Sequence, residues 1–337
     1  MPSSMKRTER PIFIVSSGRS GSTILTWCLG QHPNIIPEEE SNWLGPFAID
    51  AAVAFHRGSV RGERGQLSAN FIQREELLSR LGQAINELIV SHRRKFEDIN
   101  LRKQAGWYPP AFKVSRSPEE PKSRWVDGTP EYSFYICSLR KLFPQALFVH
   151  LVRDVTDVVR SLLNFFPDGR TRLVANEQTA YEYWLRRATH CFEAEQAYGP
   201  AVVYRVRYSD FVERSESTMR SLLEFLGERY APECLEPLAE RINSANVPAN
   251  FNEREPRTDP AIMERAKQLS NQLQSSPQIQ GNSARIAEKL ESEFDHRVQY
   301  FLNLERNYNE AQKMITKLQK ELEAIKTSPM AEGYRPC

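Results

Sequence analysis

Pro11-Ile-Phe-Ile-Val-Ser-Ser-Gly-Arg-Ser-Gly-Ser-Thr23 lies near the start of the chain. Residues 11–16 are apolar and β-branched, as a short buried strand requires, and Ser-Ser-Gly closes the run. A helix is expected over Ser22 to Leu29, with Gly30 stopping it. Between the two, Gly18 and Gly21 permit a tight turn. Successive backbone N–H groups then face one concavity at the positive end of a helix. Hydroxyls of Ser20, Ser22 and Thr23 add donors, and Arg19 adds a fixed charge with a fork suited to phosphate or sulfate oxygens. Ser17, Gly18, Arg19, Ser20, Gly21, Ser22 and Thr23 are therefore expected to bind an anion. A Walker A loop needs a lysine before its hydroxyl. Here Gly21 leads straight to Ser22, so an ATP-dependent kinase built on this loop would lack its phosphate lysine.

Helical spacing follows over residues 72–96, then an apolar strand over 146–152 after the Phe143-Pro144 turn. Further helices are expected over 155–165, 177–197 and 217–226, the last closed by Gly227, and a strand over 202–206. Strands alternating with helices predict an α/β fold: a P-loop-like, doubly wound, mostly parallel sheet flanked by helices. Such sheets bind ligands at the carboxyl ends of their strands.

Leu147-Phe-Val-His-Leu-Val-Arg-Asp-Val-Thr-Asp-Val-Val-Arg-Ser161 supplies a second anion site. Arg153 stands where a strand ends, and Ser161 about two helical turns further on. Such a pair can grip one phosphate from two sides. With this motif beside Arg19-Ser-Gly-Ser-Thr23, the chain resembles the sulfotransferases that use 3′-phosphoadenosine 5′-phosphosulfate (PAPS), over roughly residues 10–250. The bacterial and the carbohydrate or tyrosylprotein branches are nearer than the cytosolic small-molecule branch, because the loop carries Arg rather than Lys. The resemblance implies that the first loop holds the 5′-phosphosulfate and that Arg153 and Ser161 hold the 3′-phosphate. It also implies cofactor contacts from Tyr208, in Val206-Arg-Tyr-Ser-Asp-Phe-Val212, and from Ser244, in Arg241-Ile-Asn-Ser244. The product would be 3′,5′-ADP.

Sulfuryl transfer to a hydroxyl needs donors on the transferring oxygens and a base near the acceptor. Pro37-Glu-Glu-Glu-Ser-Asn-Trp43 offers three acids at a strand-to-loop position, followed by Trp43 and Phe47. An apolar cleft there would raise a glutamate pKa towards the working range. The resemblance aligns Glu40 with the catalytic glutamate, Glu39 being the runner-up, and makes Arg19 its catalytic partner. His32 is expected to orient a loop and His150 to sit in the core. One departure stands out: where relatives carry a lysine, Val126-Asp-Gly-Thr-Pro130 has Gly128. Lys113, Lys122 and Arg124 are the nearby cations in sequence.

Net charge is +2 over 337 residues, too small to imply nucleic acid. The six histidines are dispersed and the five cysteines form no C-x-x-C spacing, so neither metal nor disulfide framework is expected, and a cytoplasmic home is the simplest. No apolar stretch approaches the roughly 20 residues of a membrane helix. Basic segments at 57–64, 92–103 and 113–124, with Trp43, Trp107, Tyr108 and Trp125, favour a carbohydrate hydroxyl as acceptor, a lipid or natural-product hydroxyl staying open.

The expected organisation is a sulfotransferase domain over 10–255, a linker over 256–282, a coiled-coil or helical extension over 283–327 and a disordered tail over 328–337. In the extension, Ala287, Leu290, Phe294, Arg297, Phe301, Leu304, Tyr308, Ala311, Ile315, Leu318, Leu322 and Ile325 alternate in steps of three and four. That two-position seam suits self-association. A non-catalytic scaffold built on it is the other rival to the enzyme.

Overall fold

A computed structural model of the chain describes residues 10–38, 40–59, 65–98, 122–166, 170–239 and 258–326. Strands β1 (Ile12–Val15), β2 (Ile35–Glu38), β3 (Arg124–Asp127), β4 (Leu147–Val152) and β5 (Val203–Arg207) form one sheet in the order β2-β3-β1-β4-β5. All four pairings are parallel, with Ile12 of the central strand opposite both Val126 and Leu147. Both faces are covered, which is why the central strands read as unbroken apolar runs.

Alternation still decides which face each side chain enters. Phe13 and Val15 join Trp125 and Phe148 on one face, where Phe13 lies 5.3 Å from the Trp125 ring and 5.5 Å from Phe148. Ile12 and Ile14 join Leu25, Leu29, Val126 and Val149 on the other. The helices are α1 (Ser22–Gly30), α2 (Leu44–Ser59), α3 (Gln66–Ala69), α4 (Arg74–Asp98), α5 (Ile136–Leu142), α6 (Val155–Leu163), α7 (Glu177–Tyr198), α8 (Tyr208–Glu213), α9 (Ser215–Leu226), α10 (Pro260–Ser275) and α11 (Ala284–Lys326). Gly30 is the last residue of α1 rather than the stop beyond it.

The chain leaves β1 for β2 and β3 on one side and returns for β4 and β5 on the other. The carboxyl end of β1 is therefore the point where strand order reverses, the place where such sheets bind ligands.

Two ion networks and one lysine are buried in the fold. Arg124 is fully buried, donating to the carbonyls of Arg10 (2.9 Å) and Leu226 (2.8 Å) and to Glu228 (3.1 Å). Lys122 donates to the Gly30 carbonyl at 2.9 Å. Glu195 accepts from His150 at 2.5 Å and from Arg205 Nε at 3.0 Å. His150 is thus a core residue, as expected from its strand.

The stretch expected as a linker holds α10. Asp259 caps it, accepting from Ala261 N at 2.8 Å, and Pro260 starts it. Ala266 and Leu273 are buried against the α6–α7 side of the domain. Pro260 stands at the helix's first position, where its missing N–H costs nothing.

Helix α11 has two parts. Leu290, Phe294 and Val298 are buried, with Leu302 partly so, in steps of four against the domain. Arg297 faces aside, donating to the Phe134 carbonyl at 2.7 Å. The buried line thus runs through Val298 rather than the seam positions Arg297 and Phe301. From Asn303 to Ala324 every residue is exposed, so the seam positions from Leu304 to Leu322 are not covered by the described residues.

Candidate functional site

The loop between β1 and α1 turns through Ser20 N–H bonded to the Ser17 carbonyl at 3.2 Å. Arg19 sits at φ 71° and Gly21 at φ 101°, both left-handed. For Arg19 that conformation is uncommon and holds its side chain out of the turn. No side chain caps α1, whose N-cap is Gly21. The Ser16 hydroxyl is buried and bonds nothing among the described residues. The Ser16 hydroxyl and the uncapped start of α1 are thus donors for which the described residues supply no side-chain acceptor, a condition that an anion satisfies.

The second motif lies directly against this loop. Asp154 caps α6 through Thr156 N at 2.8 Å, which sets Arg153 at the end of β4 and Ser161 on the helix. Arg19 Nε donates to Ser161 Oγ at 3.1 Å, and Arg153 donates to the Arg19 carbonyl at 3.3 Å. The Arg153 Nε is buried with no hydrogen bond among the described residues, Asp157 being 3.7 Å away. The Arg153 guanidinium lies 4.7 Å from the centre of the Tyr208 ring, and Arg19 lies 4.2 Å from that of Phe165. Burial, then the nearby charge of Arg153, hold the Arg19 pKa below its usual value.

Each glycine of the loop faces a tyrosine. A Cβ on Gly21 would lie 2.6 Å from the Tyr208 ring, and one on Gly18 would lie 2.7 Å from the Tyr183 hydroxyl. Both positions must be glycine for the rings to come this close. Tyr208 opens α8 immediately after β5, so the end of another strand brings it here.

Glu40 follows β2 on the other side of the loop. Its pKa is pushed up to about 7, by burial first, then by the negative charges of Glu131 and Asp127, with Arg19 opposing. The residue as a whole is nonetheless exposed. Exposure governs access to it; the surrounding protein and like charges govern its proton. Next to it, Ser41 donates to Asp127 at 2.7 Å and pairs with Tyr132 OH, and its N–H donates to Thr129 Oγ1 at 2.9 Å. Asp127 also accepts from Thr129 N and Oγ1 at 2.9 and 2.6 Å. This network fixes the backbone that carries Glu40.

Of the expected site residues, Ser17 through Thr23, Arg153, Ser161, Tyr208 and Glu40 are brought to one place. Ser244, Glu39 and Lys113 lie outside the described residues. Lys122 and Arg124 are committed to the buried networks above, so neither replaces the lysine absent at Gly128. A Cβ on Gly128 would lie 2.3 Å from Thr26 Oγ1, so this backbone leaves no room for a longer side chain. His32 donates from Nε2 to the Arg229 carbonyl (2.9 Å) and accepts at Nδ1 from Asn34 N (3.1 Å), the loop-orienting role expected of it. Trp125 is core, donating to Asn86 at 2.8 Å, while Trp43 is 45% exposed and meets Phe47 edge-on at 5.6 Å. Trp107 and Tyr108 lie outside the described residues.

Asp127, Ser41, Thr129, Glu131 and Tyr183 were not legible beforehand. The Asp-x-Thr spacing after a strand was a usable sign for Asp127 and Thr129; nothing marked Tyr183 within its helix. Among the described residues no group of three or more His, Cys, Asp or Glu is placed to hold a metal, and no helix is long and apolar enough to cross a membrane. Cys28, Cys137, Cys191 and Cys234 are free, buried thiols.

The sequence pattern of the Sulfotransferase family matches residues 11–232. Omega-hydroxy-beta-dihydromenaquinone-9 sulfotransferase Stf3 from Mycobacterium bovis is 24% identical over 270 residues, spanning 69% of this chain and 67% of that protein, and the Mycobacterium tuberculosis protein of the same name is equally similar. Among solved structures, sulfotransferase STF9 from Mycobacterium avium aligns with a TM-score of 0.44 and 16% identity, over 82% of this chain and 79% of that one. The sulfotransferase domain of a Synechococcus olefin synthase aligns with a TM-score of 0.41 and 19% identity, over 87% of this chain and 96% of that one.

Proposed function

The chain belongs to the Sulfotransferase family, and on that premise we propose that it moves the sulfuryl group of PAPS to a hydroxyl, with Glu40 as general base. PAPS supplies a sulfuryl group already joined to a phosphate leaving group. The loop amides and the hydroxyls of Ser20, Ser22 and Thr23 hold its 5′ end, and Arg19 faces the transferring oxygens. Arg153, Ser161 and Tyr208 hold the 3′-phosphate side; Ser244 is assigned there by resemblance alone. The observation that carries this assignment is the contact of the two motifs, Arg19 on Ser161 and Arg153 on Arg19. Donors without acceptors at Ser16 and Arg153 fit a ligand with phosphate at both ends.

Glu40 takes the acceptor's proton. A carboxyl with a pKa of about 7 is half deprotonated at neutral pH and can both receive and release a proton there. Arg19, always charged, balances negative charge on the transferring oxygens from within a partly dry site. No metal is assigned a role.

The acceptor is a hydroxyl compound. Of the aromatic residues that favoured a carbohydrate, Trp43 is exposed a few residues from Glu40, and Trp125 is core. The Mycobacterium relatives are named for a hydroxylated menaquinone, and the Trp43–Phe47 pair offers an apolar wall to a sugar ring or a lipid alike. A substrate screen over both classes decides between them. The exposed part of α11 is assigned to pairing with a second copy. Phe301, Leu304, Ile315, Leu318 and Leu322 keep heptad spacing; of the flanking positions Asn307, Gln312, Met314 and Gln319 are uncharged, Glu305 is paired with Arg57 and Glu321 is acidic.

Calorimetric titration with 3′,5′-ADP tests the cofactor assignment. Binding without magnesium is expected, and folded protein that binds none would overturn it. A kinase would instead bind ATP with magnesium, and a scaffold would bind neither.

A further inference from the structure

Tyr183 lies on α7, a helix that no motif connects with the site, yet its hydroxyl reaches the first glycine of the β1–α1 loop. The absent side chain of Gly18 is what admits it. Its ring rests against the guanidinium of Arg187, 3.4 Å from the ring centre, and Arg187 is held in turn by Glu131 at 3.2 Å. The ring is thereby clamped between α7 and the segment after β3. Its hydroxyl makes no hydrogen bond among the described residues. A half-buried phenol with an unused O–H, aimed at an anion-binding turn, is a donor waiting for an acceptor.

The charges around it agree. Burial first, helped by Glu131 and Glu40 and opposed by Arg187 and Arg19, pushes the Tyr183 pKa up to about 12, so the phenol keeps its proton at working pH. Two of these charges, Glu40 and Arg19, belong to the expected reacting centre. Among the described residues Gly128, Lys122 and Arg124 bring no cation to it, which leaves a place beside Arg19 for a donor from another element.

We propose that Tyr183 donates a hydrogen bond to an oxygen of the sulfuryl group, from the side of the loop opposite Tyr208. This rests on the PAPS assignment above. In the transfer, the bond from sulfur to the leaving phosphate oxygen breaks as the bond to the acceptor oxygen forms. Glu40 receives the acceptor's proton, and Tyr183 retains its own. Arg187 is a positioning residue that holds the ring.

The test separates the sulfuryl group from the rest of the cofactor. PAPS and 3′,5′-ADP are titrated calorimetrically into the intact chain and into Tyr183→Phe, which keeps the ring and its packing. Affinity for 3′,5′-ADP should stay within about twofold, while affinity for PAPS falls about tenfold, the size of a hydrogen bond to a charged acceptor. Equal PAPS affinity in the two proteins would overturn the proposal. So would an equal loss for both ligands, which would make Tyr183 a packing residue at Gly18. Failure of the unaltered chain to bind 3′,5′-ADP would overturn the cofactor assignment itself, and is seen before any variant is made.

Discussion

Arg19 Nε donates to Ser161 Oγ at 3.1 Å, across 142 positions of sequence. One residue comes from the loop after β1 and the other from the helix after β4. Their contact makes two local anion motifs into one site, and it is the first target for mutation. Arg153→Ala removes the guanidinium that braces this contact and should weaken 3′,5′-ADP binding at least tenfold, as for loss of a charge-assisted pair. Ser161→Ala should cost less, because a neutral donor is lost. Unchanged calorimetric affinity in both variants, with native circular dichroism, would remove the 3′-phosphate assignment.

Glu40→Gln keeps the shape of the side chain and removes its basicity. Transfer to an acceptor found by screening should fall by about 10²–10⁴-fold, with 3′,5′-ADP affinity retained. Near-normal turnover would exclude Glu40 as the base.

The pH dependence follows from the same carboxyl. Its pKa is raised to about 7, and the base works deprotonated, so the rate should climb through neutral pH and level off above it. Glu131 is one of the charges that raise it. Glu131→Gln should therefore move the rising limb of the pH–rate profile to lower pH. A limb that stays in place would show that Glu131 does not act on Glu40.

The buried His150–Glu195–Arg205 network is a stability element outside the site. Burial alone would raise the Glu195 pKa, but the bonds from His150 and Arg205 prevail and hold it below the usual value. Its folded pKa is depressed, so its contribution is present above the unfolded carboxylate pKa and is lost as pH falls through the folded one. Glu195→Ala leaves two buried basic groups without their partner and should cost about 3–5 kcal/mol. Thermal unfolding at neutral pH measures the loss, and an unchanged Tm would refute it.

The exposed half of α11 sets the last prediction. Light scattering of the intact chain should give the mass of a dimer, and Leu318→Asp with Leu322→Asp should give a monomer that still binds 3′,5′-ADP. A monomeric unaltered chain would exclude pairing through this seam.

The strand–loop–helix at 11–23 and the Arg153–Ser161 pair were legible because each is local. An apolar run ending in glycine, and a basic residue two helical turns before a hydroxyl, depend on backbone preference over about a dozen residues. Strands β2 and β3 were not, because each is four residues long and carries Pro37, Arg124 or Asp127. Those residues are tolerated only through partners far along the chain, such as Glu228 on Arg124 and Ser41 on Asp127. The seam of α11 was legible as a period, but Arg297 and Phe301 gave way to Val298 where the domain surface takes over. The opening loop by itself pointed to an anion at the start of a helix. Which groups surround that anion was decided by the sheet. It brings Tyr208, Arg153 and Glu40 to one edge, and α7 adds Tyr183 at Gly18. Contacts between elements distant in sequence leave no periodic trace in either one, so only the folded chain reveals them.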